Sequence, residues 1–238
     1  MNLPFFYIED FDPSKKEIVL EEDTSRHVVQ VLRMKETEKI NLTDGKGNLI
    51  TAEITDGHKK HCIVRLIDSR VKSHVSRKIT IAISLLKNAS RFEWFLEKAT
   101  ELGVNEIVPL LCERTEKQKF RYDRMQGICI SAMLQSQQTW LPVLHEPKQF
   151  SHLAVEKFNL QQKFVAHCDE SPDKKQLSTF LPINPDKSVI ILIGPEGDFS
   201  KEEIDLALQN NFIAVSLGKT RLRTETAGIM AATLLCHI

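Results

Sequence analysis

Two segments near the C-terminal end concentrate residue types that chemistry needs. One is Gly194-Pro195-Glu196-Gly197-Asp198-Phe199, and the other is Leu217-Gly218-Lys219-Thr220-Arg221-Leu222-Arg223-Thr224-Glu225-Thr226-Ala227. Each combines glycine, which lets main-chain groups come close to a ligand, with guanidinium or carboxylate side chains. Each follows a short β-like run and leads into a helix. The expected arrangement is two backbone-rich turns meeting around one small ligand.

The elements that must hold these turns are legible in the flanking residues. Val189-Ile190-Ile191-Leu192-Ile193 is a continuous apolar run rich in β-branched residues, the pattern of a strand buried on both faces of a parallel sheet. Gly194, Pro195 and Gly197 stop it. Ser200 followed by Glu203 forms a capping box, and Phe199 with Ile204 has the spacing of a hydrophobic staple, so a helix starts at Lys201. In the second segment Ala214-Val215-Ser216-Leu217 reads as a strand, Gly218 turns, and Thr224 or Thr226 caps a final helix over Ala227 to Leu235. That helix is small and apolar nearly all round, as a buried element would be. A dinucleotide fold is a poor fit, because Gly-Pro-Glu-Gly is not Gly-x-Gly-x-x-Gly and lies too near the C-terminus for a first βα unit. No Gly-x-x-x-x-Gly-Lys-Ser/Thr is present.

Upstream, Ile79 to Leu85 reads as a strand, and Ser90 with Glu93 as a second capping box. The stripe Phe92, Phe95, Leu96, Ala99 and Leu102 then runs at helical spacing and is closed by Gly103. Ile107 to Leu111 is a strand, Met125 to Gln138 a helix and Phe164 to Ala166 a strand, so alternation predicts an α/β domain with a mainly parallel sheet over 73–238. Residues 1–72 differ. Short alternating runs at Glu17–Leu20, Lys39–Leu42, Leu49–Ile54 and Cys62–Ile67, punctuated by Asp44-Gly45 and Asp56-Gly57, predict a small β-barrel or sheet with hairpins.

The 238 residues carry 32 basic and 32 acidic side chains, and a net charge of zero argues against a nucleic-acid partner. The distribution softens that objection. From His58 to Lys78 there are seven basic residues (Lys59, Lys60, Arg65, Arg70, Lys72, Arg77 and Lys78) against one acidic residue, Asp68, with His58, His61 and His74 among them. Such a stripe suffices to dock RNA, or it is a solvated face. Five cysteines without a Cys-x-x-Cys pair argue for free thiols and against zinc or a disulfide framework. With no signal-like N-terminus and no run of eighteen apolar residues, a soluble cytoplasmic protein is expected.

Taken together, Ile193-Gly194-Pro195-Glu196-Gly197 with Phe199-Ser200, and Leu217-Gly218 with Leu222-Arg223-Thr224-Glu225-Thr226-Ala227, resemble the two C-terminal motifs of the small-subunit (16S) ribosomal RNA uridine N3-methyltransferases of the SPOUT (trefoil-knot) superfamily. The resemblance extends through Leu86-Lys87, Arg91, Glu93, Lys98, Glu101-Leu102-Gly103-Val104, Pro109 and Glu113-Arg114, and reaches His27 with Val31-Leu32-Arg33. Four positions depart from the family pattern. Leu134 and Gln138 replace an acidic and a basic residue, and Asp198 and Thr37 stand where glycines are usual.

The resemblance implies a PUA-like RNA-binding barrel, a knotted α/β methyltransferase domain, S-adenosyl-L-methionine as cofactor, a homodimer, and small-subunit rRNA or the small ribosomal subunit as partner, with no membrane and no metal. Methylating uracil N3 requires bringing the base into a pocket and helping a proton leave. Arg223, Glu196 and Glu225 are the catalytic candidates: Arg223 stabilises the carbonyl oxygen whose charge grows, or else forms a structural ion pair with Glu196 or Glu225. Glu196 is a proton acceptor or a loop brace, and His167 a base or a core histidine. Donor binding is assigned to Leu192, Ile193, Gly194, Gly197, Leu217, Gly218, Leu222 and Thr226. RNA contact is assigned to Arg26, His27, Arg33, Lys59, Lys60, Arg65, Arg70, Lys72, Lys87, Arg91 and Arg114. Methylation of another RNA by the same fold, a non-catalytic RNA-binding protein and a nucleotide-using metabolic enzyme remain as alternatives.

Overall fold

The computed structural model describes residues 3–73, 77–116, 119–156, 162–169, 174–183 and 188–237. The chain divides into two compact units, Met1–His74 with Met133–Leu141, and Val75–Ala132 with Pro142–Ile238.

The first unit is a mixed five-stranded sheet. Its elements are β1 (Phe5–Tyr7), β2 (Glu17–Val19), α1 (Glu22–Arg26), a π-helical turn at His27–Val31, β3 (Lys39–Thr43), β4 (Asn48–Asp56) and β5 (Ile63–Val71). The strand order is β1-β3-β4-β5-β2, with β1 parallel to β3 and the other pairs antiparallel. The alternation read from the sequence puts Ile40, Leu42, Ile50, Ala52, Ile54 and Val64 on one face, where they form the core with Phe6, Leu20 and Val28. The late segment Met133–Leu141 belongs here: Gly47 N donates to Thr139 O at 2.8 Å, Leu141 N to Gly45 O at 2.8 Å, and Trp140 Nε1 to Lys72 O at 3.2 Å.

In the second unit, β6 (Ile79–Ser84), α2 (Ala89–Glu101), β7 (Glu106–Leu111), α3 (Tyr122–Gln135), β8 (Val143–Leu144), β9 (Lys148–Gln149), α4 (Phe150–Val155), β10 (Gln162–Ala166), β11 (Lys175–Gln176), β12 (Val189–Ile193), α5 (Lys201–Gln209), β13 (Ile213–Ser216) and α6 (Thr224–His237) follow in order. The sheet runs β11-β13-β10-β12-β6-β7-β8, β9 also pairs with β7, and the pairings are parallel. β12 is buried at every position, as a central parallel strand must be. α6 crosses α2 closely: a Cβ on Gly228 would lie 2.6 Å from the Phe95 ring and 2.8 Å from Ile83 Cδ1, so only glycine fits there.

Three local readings need correction. α2 is capped not by Ser90 with Glu93 but by Asn88, whose side chain accepts from Ser90 N; Glu93 instead pairs with Arg124 at 2.6 Å. α6 starts at Thr224, so Thr224 and Thr226 lie in its first turn and cap nothing. α3 starts earlier than Met125 and stops at Gln135, and Gln137 takes a left-handed backbone with φ 56°. The two family glycines replaced here sit where glycine would be at ease. Thr37 has φ 74° and Asp198 φ 64°, conformations L side chains rarely adopt.

Candidate functional site

The C-terminal ends of β10, β12 and β13 lie side by side in the parallel sheet, Ala166 pairing with both Ile193 and Val215. Ligands of open α/β sheets bind outside this edge, because the loops that leave it diverge and expose main-chain groups. A pocket of about 430 Å³ opens there. Its inner wall is apolar, from Ala166, Ile193, Val215, Leu217, Leu222 and Ala227, and its rim is charged, from Lys174, Glu196, Lys219, Arg221 and Arg223.

The loop after β12 is held on all sides. Ser200 and Glu203 form the expected capping box at the start of α5. Asp198 Oδ2 accepts from Cys168 N at 2.7 Å and its Oδ1 from Phe199 N at 2.9 Å, tying this loop to the one after β10. Arg114 Nη1 donates to Gly197 O at 2.8 Å, and Lys87 N to Glu196 Oε1 at 3.3 Å. The loop after β13 is different. From Gly218 to Arg223 the described residues show no amide donating to a backbone carbonyl, and most of these residues are exposed.

Of the candidate donor-binding residues, Ile193, Gly194, Leu217, Gly218 and Leu222 line the pocket. Leu192 is buried in the core beneath it, Gly197 faces Arg114, and Thr226 is exposed on α6. Arg223 and Glu196 both reach the pocket, and among the described residues Arg223 pairs with neither carboxylate. Glu225 lies outside the wall: it is only 6% exposed, 3.8 Å from Arg91 Nε, with Oε2 unpartnered. Pocket residues outside the sequence-derived catalytic and donor-binding candidates include His167, weighed only as a base or a core histidine, Lys174 and Asp198. Their signal was position, since His167 and Cys168 directly follow β10.

The basic stripe separates into two kinds of side chain. Arg77 donates to Ile183 O at 3.2 Å and Leu235 O at 2.7 Å, and Lys78 pairs with Glu106 at 2.5 Å; both are structural members of the second unit. Lys59, Lys60, Arg65, Arg70 and Lys72 are exposed in the first unit, Arg65 beside Glu53 at 2.7 Å and Arg70 beside Asp68 at 3.9 Å. His74 lies outside the described residues. Arg26 and His27 at the start of the π-helical turn and Arg33 just after its end are exposed, Arg26 paired with Glu22 at 3.0 Å. Lys87 and Arg114 are exposed near the Gly194 loop, and Arg91 is half-buried on α2. The cysteines are free, and burial pushes the Cys112 thiol up to about 12 and those of Cys129 and Cys236 to about 11, which leaves them unreactive.

A sheet whose loops build one pocket at its C-terminal edge, joined to a separate small β unit, defines a two-domain α/β enzyme class. Comparison with known proteins specifies the class further. Residues 73–236 match a family model described as an RNA methyltransferase domain, and 20–67 match an RNA methyltransferase PUA domain. The chain belongs to this RNA methyltransferase family. It is similar to a probable rRNA methyltransferase of Porphyromonas gingivalis, at 36% identity with a TM-score of 0.89 over 97% of this chain and 96% of that one. It is also similar to a ribosomal RNA small subunit methyltransferase E of Neisseria gonorrhoeae solved with S-adenosyl methionine bound, at 28% identity and a TM-score of 0.85 over 98% and 96% of the two chains. The enzyme of the same name from Synechocystis is 31% identical over 86% of this chain and 68% of the relative.

Proposed function

We propose that this protein transfers the methyl group of S-adenosyl-L-methionine to N3 of a uracil in small-subunit (16S) ribosomal RNA. The observation that carries the reading is the pocket at the ends of β10, β12 and β13, with an apolar interior, amides on one wall that donate to no backbone carbonyl among the described residues, and Arg223 at its rim. The residues present fit the donor: the apolar interior suits a purine, and among the described residues the amides of 218–223 donate to no backbone carbonyl, which leaves them to recognise its polar edges. When bound, the donor supplies an electrophilic methyl on a sulfonium leaving group, a reaction that calls for no metal.

The chain's own residues supply alignment and charge. Reaction forms the N3–methyl bond and breaks the sulfur–methyl bond while the N3 proton departs. Arg223, without an ion-pair partner among the described residues, stabilises the uracil carbonyl oxygen on which negative charge grows. Glu196, exposed on the same rim, is positioned to take up the proton. Glu225, buried beside Arg91, braces the start of α6 and stays out of the chemistry.

Recognition rests on the first unit. Lys59, Lys60, Arg65, Arg70 and Lys72, with Arg26, His27 and Arg33, provide cations for phosphate contact. Changing Lys59, Lys60 and Arg65 together to alanine weakens RNA binding and flattens its salt dependence while donor binding is unchanged, as read by filter binding over a salt series. The protein acts in the cytoplasm as a knotted homodimer. Trp94 on α2 and Met230 on α6 stay exposed at 45% and 39% on helices that pack together, an apolar face that a second copy would cover. A monomeric mass by light scattering contradicts the dimer.

No helix among the described residues is long and apolar enough to cross a membrane. The activity is tested by incubating the protein with donor and small ribosomal subunits from a strain lacking the gene, followed by nucleoside mass spectrometry. N3-methyluridine is the expected product; a different methylated nucleoside, or none, refutes the reading.

A further inference from the structure

His167 follows the last residue of β10, between the Gly194 loop and the Leu217 loop, and lines the interior of the pocket. It is 9% exposed, and among the described residues neither ring nitrogen has a hydrogen-bond partner. Two unsatisfied polar atoms in one buried side chain are costly unless a ligand pairs with them. A core histidine would have a carbonyl or carboxylate on at least one nitrogen; this one faces a cavity instead.

We infer that His167 is a recognition residue for the adenosine half of the methyl donor, its imidazole giving one hydrogen bond and receiving another at the inner end of the pocket. The inference rests on the donor reading given above. The division of the pocket decides which half of the donor it meets. The wall of Ala166, Ile193, Val215 and Leu217 beside His167 is apolar and takes the flat heterocycle and its sugar, while Lys174 and Asp198 also lie close to the ring; the zwitterionic end belongs with Glu196, Arg221 and Arg223. Only neutral imidazole offers both a donor and an acceptor.

The surroundings keep the ring in that form. Burial holds the imidazole below its ordinary range, and Lys174, whose Nζ donates to His167 O at 3.1 Å, acts in the same direction; Asp198 and Asp169 oppose more weakly. Arg221 faces the neighbouring Cys168. A neutral ring also avoids adding a cation beside a sulfonium donor.

The test is calorimetric titration of wild type, His167→Phe and His167→Gln with S-adenosylmethionine, S-adenosylhomocysteine and 5′-methylthioadenosine, which lacks the amino-acid end. His167→Phe is expected to lose about ten- to a hundredfold in affinity for all three, and His167→Gln, which keeps a donor and an acceptor, to recover part of it. A folded His167→Phe that binds S-adenosylhomocysteine within twofold of wild type overturns the inference, as does a loss confined to S-adenosylmethionine. Wild type that binds none of the three overturns the donor reading itself. On the unmodified protein, ¹⁵N-histidine spectra supply a check independent of any variant's folding: S-adenosylhomocysteine must shift the ring nitrogens of one histidine, and unchanged spectra overturn the assignment.

Discussion

The two loops that bound the pocket have similar sequence grammar and opposite mechanical character. Each leaves a parallel strand, carries a glycine and enters a helix, yet residues 194–200 are tied by Asp198, Arg114, Lys87 and a capping box, whereas among the described residues the amides of 218–223 donate to no backbone carbonyl. One wall is built before the ligand arrives, and the other has its hydrogen-bonding capacity left for the ligand. The rigid wall fixes where the donor sits; the open wall holds Arg223 and can adjust to both donor and base.

That contrast breaks most sharply at Arg223. Arg223→Ala removes the charge from the open wall without touching the braced one, and single-turnover methyl transfer should fall about a hundredfold or more while donor affinity is retained. Near-normal turnover would leave Arg223 without a catalytic role. Gly218→Val comes next. Gly218 lines the pocket with φ 155°, so a branched side chain there strains the backbone of the open wall; donor affinity by calorimetry should fall at least about tenfold.

The braced wall answers with stability more than affinity. Asp198→Ala forfeits two hydrogen bonds to a carboxylate and should cost about 2 kcal/mol in urea unfolding. Asp198→Gly loses the same bonds but relaxes a left-handed backbone, so it should cost roughly 1 kcal/mol less. The smallest effect is in pH. The folded-state pKa of His167 lies below its unfolded value, so the folded protein binds fewer protons: stability is full above about pH 6.5 and declines as pH falls from there to the depressed value. Thermal melts from pH 7.5 to 5 should show a decline that His167→Gln reduces.

These elements were unequally legible in the sequence. β12, its loop and α5 could be read residue by residue because the signals are local: a β-branched run and a capping box, both present in the structure, with Phe199 and Ile204 buried in one core cluster. The Ser90 cap failed for a long-range reason. Glu93 is drawn to Arg124 on α3, leaving Asn88 to cap α2. Two- and three-residue strands such as β1, β8, β9 and β11 exist through their partners and leave no periodicity to detect. Arg77 and Lys78 read as part of an RNA-facing stripe because charge counting cannot see the carbonyls and the carboxylate that occupy them. His167 looked ordinary because its significance lies in two missing partners, a property of the fold and not of the residue type.

Hydrogen–deuterium exchange with and without S-adenosylmethionine tests the difference between the walls most directly. Donor should strongly slow exchange in 217–223, which exchange fast when free, and change 194–200 little, because that loop is already bonded. Equal protection of both loops, or protection of 194–200 alone, would contradict the division of the pocket into a built wall and an open one.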